Sequence, residues 1–193
     1  MYLYNVHVGI KHGDTIALQS FSRQLWLDCQ AAQCTSSICP RVYFEGNDWN
    51  TCNNNIFRIY RASGPGEVLV GDLVGIYFPN QSGHWFSCRD STCGKSTCPG
   101  VPTVDHGFAI EEHWYRCYGE VFKIYARGRN MSEPIMPMDD VMLNYIQEYK
   151  WVRCSSTISK ARCPGSVRPP PTTKYDYCFV EVIKIWKNMN TTN

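Results

Sequence analysis

Three stretches of this 193-residue chain carry the same landmarks in the same order, and that repetition constrains the fold more than any other feature. The first stretch runs Gly13-Asp14-Thr15-Ile16-Ala17-Leu18, Gln24-Leu25-Trp26-Leu27-Asp28-Cys29, Cys39-Pro40, Cys52 and Ile56-Phe57-Arg58-Ile59-Tyr60. The second runs Gly71-Asp72-Leu73-Val74-Gly75-Ile76, His84-Trp85-Phe86-Ser87-Cys88, Cys98-Pro99-Gly100, Cys117 and Val121-Phe122-Lys123-Ile124-Tyr125. The third runs Asp139-Asp140-Val141-Met142-Leu143, Lys150-Trp151-Val152-Arg153-Cys154, Cys163-Pro164-Gly165, Cys178 and Val182-Ile183-Lys184-Ile185-Trp186. A Trp-x-x-Cys element thus recurs at 26–29, 85–88 and 151–154 with every other landmark in step.

Each block reads as short strands rich in β-branched and aromatic residues and punctuated by Gly, Pro, Asn and Asp. In the last strand of each block Phe57/Ile59, Phe122/Ile124 and Ile183/Ile185 alternate with Arg58, Lys123 and Lys184, so one face is buried and the other wet. No segment shows a sustained helical stripe. The segment from Asp139 to Trp151 is the best candidate, and its counterparts at 14–26 and 72–85 make it a strand pair. Three blocks are too few for a propeller, which needs about four blades.

Three four-strand units that close one barrel and cap it with three hairpins make a β-trefoil. The order Gly-Asp, apolar strand, aromatic-led strand, long loop, Phe-x-Ile strand resembles that superfamily's repeat over nearly the whole chain. The elements Cys98-Pro99-Gly100 and Glu120-Val121-Phe122-Lys123-Ile124-Tyr125 are also similar to those of cysteine-bearing trefoil-like proteins of marine invertebrates. The resemblance implies a single all-β domain over 1–193, with disulfide-stapled loops and pseudo-symmetric repeats at approximately 1–64, 65–130 and 131–193. It implies no activity, because trefoils serve as lectins, cytokines, protease inhibitors and cytoskeletal or matrix binders.

Eleven cysteines are far more than a cytosolic domain carries, and point to a secreted or extracellular protein. Zinc knuckles do not fit: the short spacings, Cys29/Cys34/Cys39 and Cys88/Cys93/Cys98, are five residues each, so no metal and no cofactor is expected. Three cysteine positions recur in every block, 29/88/154, 39/98/163 and 52/117/178, and a fourth, 34/93, in two blocks only. If symmetry governs pairing, the universal bridges are Cys39–Cys52, Cys98–Cys117 and Cys163–Cys178. The second set is then Cys29–Cys34 and Cys88–Cys93. Cys154 is left over, as a free thiol or an intermolecular bridge. Each universal bridge closes a loop of about 14–20 residues, worth on the order of 3 kcal/mol in the chain-entropy description.

Sequons at Asn80, Asn130 and Asn190 agree with a secretory route as glycosylation candidates. The N-terminus Met1-Tyr2-Leu3-Tyr4-Asn5 lacks the basic and apolar regions of a signal peptide, so the sequence reads as a mature or incomplete form. No apolar run is long enough to span a membrane. A net charge of +2 without a basic stretch argues against a nucleic-acid partner.

No catalytic signature is present: neither a Gly-x-Ser-x-Gly elbow, nor His-Glu-x-x-His, nor a phosphate loop. His106, Glu111, Glu112 and His113 form the richest titratable cluster, and a solvated loop explains them better than a metal site, since no other block repeats them. Trp26, Trp85 and Trp151 occupy one repeat position, which reads as packing before sugar stacking. Gln24-Leu25-Trp26 has the form of a ricin-type Gln-x-Trp, but the other blocks do not keep it. Arg58, Lys123 and Lys184 would form a pseudo-threefold set of cations, available to anionic glycans or an acidic partner. The run Arg168-Pro169-Pro170-Pro171-Thr172-Thr173 reads as a stiff extended loop.

The expectation is therefore a non-enzymatic extracellular structural or interaction protein. It would pack with partner proteins in an extracellular or skeletal matrix, by self-association or hetero-assembly, and its near-zero charge favours association. A multivalent lectin is the alternative and a Kunitz-trefoil protease inhibitor the third reading.

Overall fold

A computed structural model describes residues 8–29, 32–39, 48–89, 92–98, 100, 102, 113–148, 150–154, 158–161 and 182–188. Within them the first block contributes β1 (Thr15–Ser20), β2 (Trp26–Asp28), β3 (Thr35–Ser37) and β4 (Phe57–Arg61), with the short helix α1 (Asp48–Thr51) before a 3-10 turn, Asn53–Asn55. The second contributes β5 (Leu73–Tyr77), β6 (Trp85–Ser87), β7 (Gly94–Ser96) and β8 (Phe122–Ala126), with α2 (His113–Arg116) before a 3-10 turn at Tyr118–Glu120. The third contributes β9 (Asp140–Tyr145), β10 (Lys150–Cys154), β11 (Ile158–Ala161) and β12 (Ile183–Lys187).

Six of these strands close on themselves. β1 pairs with β4, β4 with β5, β5 with β8, β8 with β9, β9 with β12, and β12 returns to β1, every pair antiparallel. Closure leaves no unpaired strand edge on the barrel. The other six strands form three hairpins, β2/β3, β6/β7 and β10/β11, each hung on one barrel strand. The alternation read from the sequence appears directly, since Phe57 and Ile59 are buried while Arg58 between them is exposed. Ile16, Val74 and Val141, together with Phe57, Phe122 and Ile183, fill the interior from equivalent positions of the three blocks.

Two rings of main-chain hydrogen bonds plug this barrel. Just before β1, β5 and β9, Ile10 N–H donates to Ile135 O, Ile135 N–H to Val68 O, and Val68 N–H to Ile10 O, at 2.7–2.8 Å. At the hairpin tips Cys34 N–H donates to Cys93 O, Cys93 N–H to Ile158 O, and Ile158 N–H to Cys34 O, at 2.8–3.0 Å. All six residues are fully buried. Buried amides must find partners, and here each of three segments distant in sequence satisfies the next, so neither plug forms until all three blocks are in place.

The block seams are sealed by the aspartates of the Gly-Asp landmarks. Asp14, Asp72 and Asp139 each accept the N–H three residues upstream, from Lys11, Leu69 and Met136. Each also pairs with a cation from the end of the neighbouring block: Lys187 of β12 at 2.7 Å, Arg61 of β4 at 3.0 Å, and Arg129 in the turn after β8. The residue before each aspartate has positive φ. It is Gly13 and Gly71 in the first two turns, and Met138, at 72°, in the third.

Candidate functional site

The hairpins and the loops that leave them are where the blocks differ most in sequence, and four disulfides among the described residues hold the first two hairpins. Cys29–Cys34 and Cys88–Cys93 close the tips of the first two hairpins inside the main core. Cys39–Cys52 and Cys98–Cys117 tie the ends of those hairpins to the residue after each short helix. In the third hairpin Cys154 faces Ile158 across the strand pair, and Ile158 takes the ring position that Cys34 and Cys93 hold elsewhere. The third tip is one residue shorter, and a buried isoleucine stands where the other two have the second cysteine. Cys163–Cys178, Asn190, the His106–Glu112 cluster, the side chains of His113 and Cys154, and the proline run lie outside the described residues.

Trp26, Trp85 and Trp151 are buried. Each packs on the aromatic one residue before the end of the preceding block's last strand: Trp26 on Trp186 (5.6 Å between ring centroids), Trp85 on Tyr60 (5.6 Å), and Trp151 on Tyr125 (5.6 Å). A face packed this way has no room for a sugar ring. Trp49 and Trp114, one in each short helix, complete two satellite clusters with Trp26 and Cys52, and with Trp85 and Cys117. The two tryptophans keep the spacing of Cys52 and Cys117, a repeat visible in the sequence once the blocks are aligned.

Arg58, Lys123 and Lys184 sit at equivalent places on β4, β8 and β12, which alternate with the other barrel strands, so they point out of three different walls. Arg58 is exposed. Lys123 Nζ lies 5.8 Å from the Tyr125 ring centroid, and Lys184 Nζ donates to Asp140 Oδ1 (2.9 Å) and Met138 O (3.1 Å). The structure therefore does not gather them into one cationic patch. Asn80 and Asn130 are both exposed, Asn80 Nδ2 donating to Asn53 O at 3.1 Å and Asn130 Nδ2 to Glu133 Oε1 at 2.6 Å.

The sharpest chemical difference between blocks lies under the second hairpin. In the first block the buried Asn55 donates through Nδ2 to Leu27 O (2.8 Å) and Ser37 Oγ (2.9 Å), tying the 3-10 turn to both hairpin strands. The second block puts Glu120 there on a backbone of the same shape: φ/ψ is −93°/53° at Cys52 and −93°/50° at Cys117. The Glu120 side chain is 0% exposed, and its carboxylate has only the Ser96 and Ser87 hydroxyls as donors, neither at full hydrogen-bond geometry. Burial pushes its carboxyl above the usual carboxylate range, against the weaker opposing pull of the Ser96 and Ser87 hydroxyls and the Arg89 guanidinium. Arg89 Nη2 stands 3.9 Å from Glu120 Oε2, and the guanidinium lies over the Tyr118 ring, 5.1 Å from its centroid. The Cys98 and Cys117 sulfurs and a Glu120 oxygen lie within 4.8 Å of one another. While the bridge stands, those sulfurs are not metal ligands. In the sequence Glu120 stands only at the head of the Glu120–Tyr125 element and carries no role of its own; its alignment with Asn55 was the signal that could have marked it.

No protein-family model matches the chain, and no curated protein matches it. Among solved structures, the chain is similar to the SDF2-like protein from Arabidopsis thaliana, with a TM-score of 0.57 at 12% identity over 95% of this chain and 100% of that one. It is also similar to a Caenorhabditis elegans protein of unknown function (TM-score 0.50, 10% identity, 98% and 94% covered). A designed 3-fold symmetric protein, ThreeFoil, matches with a TM-score of 0.47 at 10% identity over 89% of this chain and 97% of that one. At such identities the likeness concerns the fold, and with the closed barrel and three hairpins it makes this an all-β, trefoil-like chain.

Proposed function

We propose that the chain is a β-trefoil in the full sense, three four-stranded repeats over about 1–64, 65–130 and 131–193 in one domain. It works outside the cell as a non-enzymatic scaffold that packs with partner proteins in an extracellular or skeletal matrix. The observation that carries this reading is the double closure of the barrel, by two main-chain rings and four disulfides, which makes a rigid body whose variable parts are clamped loops. Rigid presentation of loops suits binding, because little ordering entropy is lost on association. Four disulfides suit an oxidising compartment, and the exposure of Asn80 and Asn130 suits glycosylation there.

A lectin remains the alternative, with glycan contacts on the loops in place of the buried tryptophans. Cross-linking the native protein in its tissue, followed by mass spectrometry, tests the reading. Cross-links from the clamped loops to an extracellular protein are expected. A strictly monomeric protein without cross-linked partners, and with a specific hit on a glycan array, would replace this reading with the lectin.

A further inference from the structure

The Glu120 carboxylate is the one fully buried acidic side chain among the described residues, it has only the Ser96 and Ser87 hydroxyls as donors, neither at full hydrogen-bond geometry, and it lies against a disulfide. Carboxylates in such places are paired, protonated or bound to metal. The first block shows what a purely structural residue does here, since Asn55 satisfies both its neighbours and stands beside Cys52 without offering a carboxylate. We propose that reduction of Cys98–Cys117 converts the foot of the second hairpin into a binding site for one thiophilic divalent cation of the Zn2+ kind, held by the two thiolates and Glu120.

Two sulfurs and an oxygen within 4.8 Å of one another are three converging ligands of the types zinc takes, and the fourth tetrahedral position is left to water. The Cα atoms of Cys98 and Cys117 are 5.6 Å apart, so the two thiolates can meet on one ion without moving the chain. Charge also balances: two thiolates and a carboxylate against a divalent cation leave one negative charge, and Arg89 stands 3.9 Å away to neutralise it. Cys98 is partly exposed and Cys39 exposed, so a reductant reaches both outer bridges, whereas the Cys29–Cys34 and Cys88–Cys93 bridges are fully buried; only the outer bridge of the second block has a carboxylate beside it. In the reduction a dithiol, or a phosphine with water, delivers two electrons and two protons. The Sγ–Sγ bond breaks, the donor leaves as its disulfide or phosphine oxide, and both thiol protons are released when the cation binds.

The test titrates Co2+ into the full chain after mild phosphine reduction and follows the thiolate-to-cobalt charge-transfer band, with near-ultraviolet dichroism reporting the fold. The wild type and a Cys39→Ser/Cys52→Ser variant should each bind one Co2+ with that band. Glu120→Asn, which copies the first block, should weaken binding by at least about tenfold, since removing a ligand costs no less than removing a residue that orients one. Cys98→Ser/Cys117→Ser should abolish the band. Should that double variant not fold, Zn2+ protection of the wild-type thiols against iodoacetamide serves instead, with Cys98 and Cys117 protected and Cys39 and Cys52 not. Equal Co2+ affinity in Glu120→Asn, loss of the band in Cys39→Ser/Cys52→Ser, or loss of the dichroism on reduction would each overturn the proposal.

Discussion

Glu120→Asn should stabilise the oxidised protein, and by an amount that depends on pH. The substitution places in the second block the residue that the first uses at the same backbone geometry. By analogy with Asn55, its amide would donate to Phe86 O and to Ser96 Oγ, the counterparts of Leu27 O and Ser37 Oγ. Two hydrogen bonds at about 1 kcal/mol each, and removal of a buried carboxylate costing about 1–3 kcal/mol, oppose the loss of one methylene at about 0.8 kcal/mol. The net gain at pH 8 is about 2–4 kcal/mol.

The sign of the pH dependence follows from the raised folded pKa of Glu120. Below the ordinary value of 4.5 the group is protonated in both folded and unfolded chains and exerts no pH effect. As pH rises from there through the raised folded value, the unfolded chain ionises freely and the folded chain cannot, so wild-type stability falls. Urea denaturation of both proteins at pH 4 and pH 8 should therefore show the variant ahead by about 1 kcal/mol at pH 4, from the two hydrogen bonds less the methylene, and by clearly more at pH 8. A variant less stable than wild type at pH 8, or a separation unchanged between the two pH values, would refute this account of the pocket.

Met138→Gly should raise stability by about 1 kcal/mol, because Met138 alone holds with a side chain the positive-φ turn that Gly13 and Gly71 hold without one, and it is 44% exposed. A rise in Tm of roughly 2–4 °C would be seen by calorimetry. Lys187→Ala should cost about 3 kcal/mol, since it strands the Asp14 carboxylate in a pair only 9% and 8% exposed, and Asp14→Asn/Lys187→Met should recover most of that in denaturant titrations. Ile158→Cys should create a third tip bridge to its cross-strand partner Cys154, read as a 2 Da mass loss in the unreduced tryptic peptide and as loss of any alkylatable thiol at 154.

Much of the barrel was legible in the sequence because its signals are local. Period-two alternation marked β4, β8 and β12, and the Trp-x-x-Cys repeat fixed the start of each hairpin. Repetition also supplied what spacing alone cannot, the partners of Cys29, Cys39, Cys88 and Cys98. The plugs were not legible. Ile10, Val68 and Ile135 meet through main-chain groups that every residue has, and side-chain identity carries no trace of such a ring. Helices α1 and α2 span four residues each, too short to show a period. Glu120 drew no attention at the head of its strand element because burial of a charged residue follows from tertiary packing, against its own transfer preference.

The account's central claim is that three blocks build one shared barrel while each block staples its own loops with its own disulfides. A disulfide map of the unreduced protein, by proteolysis without reduction and mass spectrometry, tests it most directly. It should show Cys29–Cys34, Cys39–Cys52, Cys88–Cys93 and Cys98–Cys117, with Cys163–Cys178 completing the set and every bridge within its own block. A bridge joining cysteines of different blocks within one chain, or Cys34 bonded to Cys39, would contradict it.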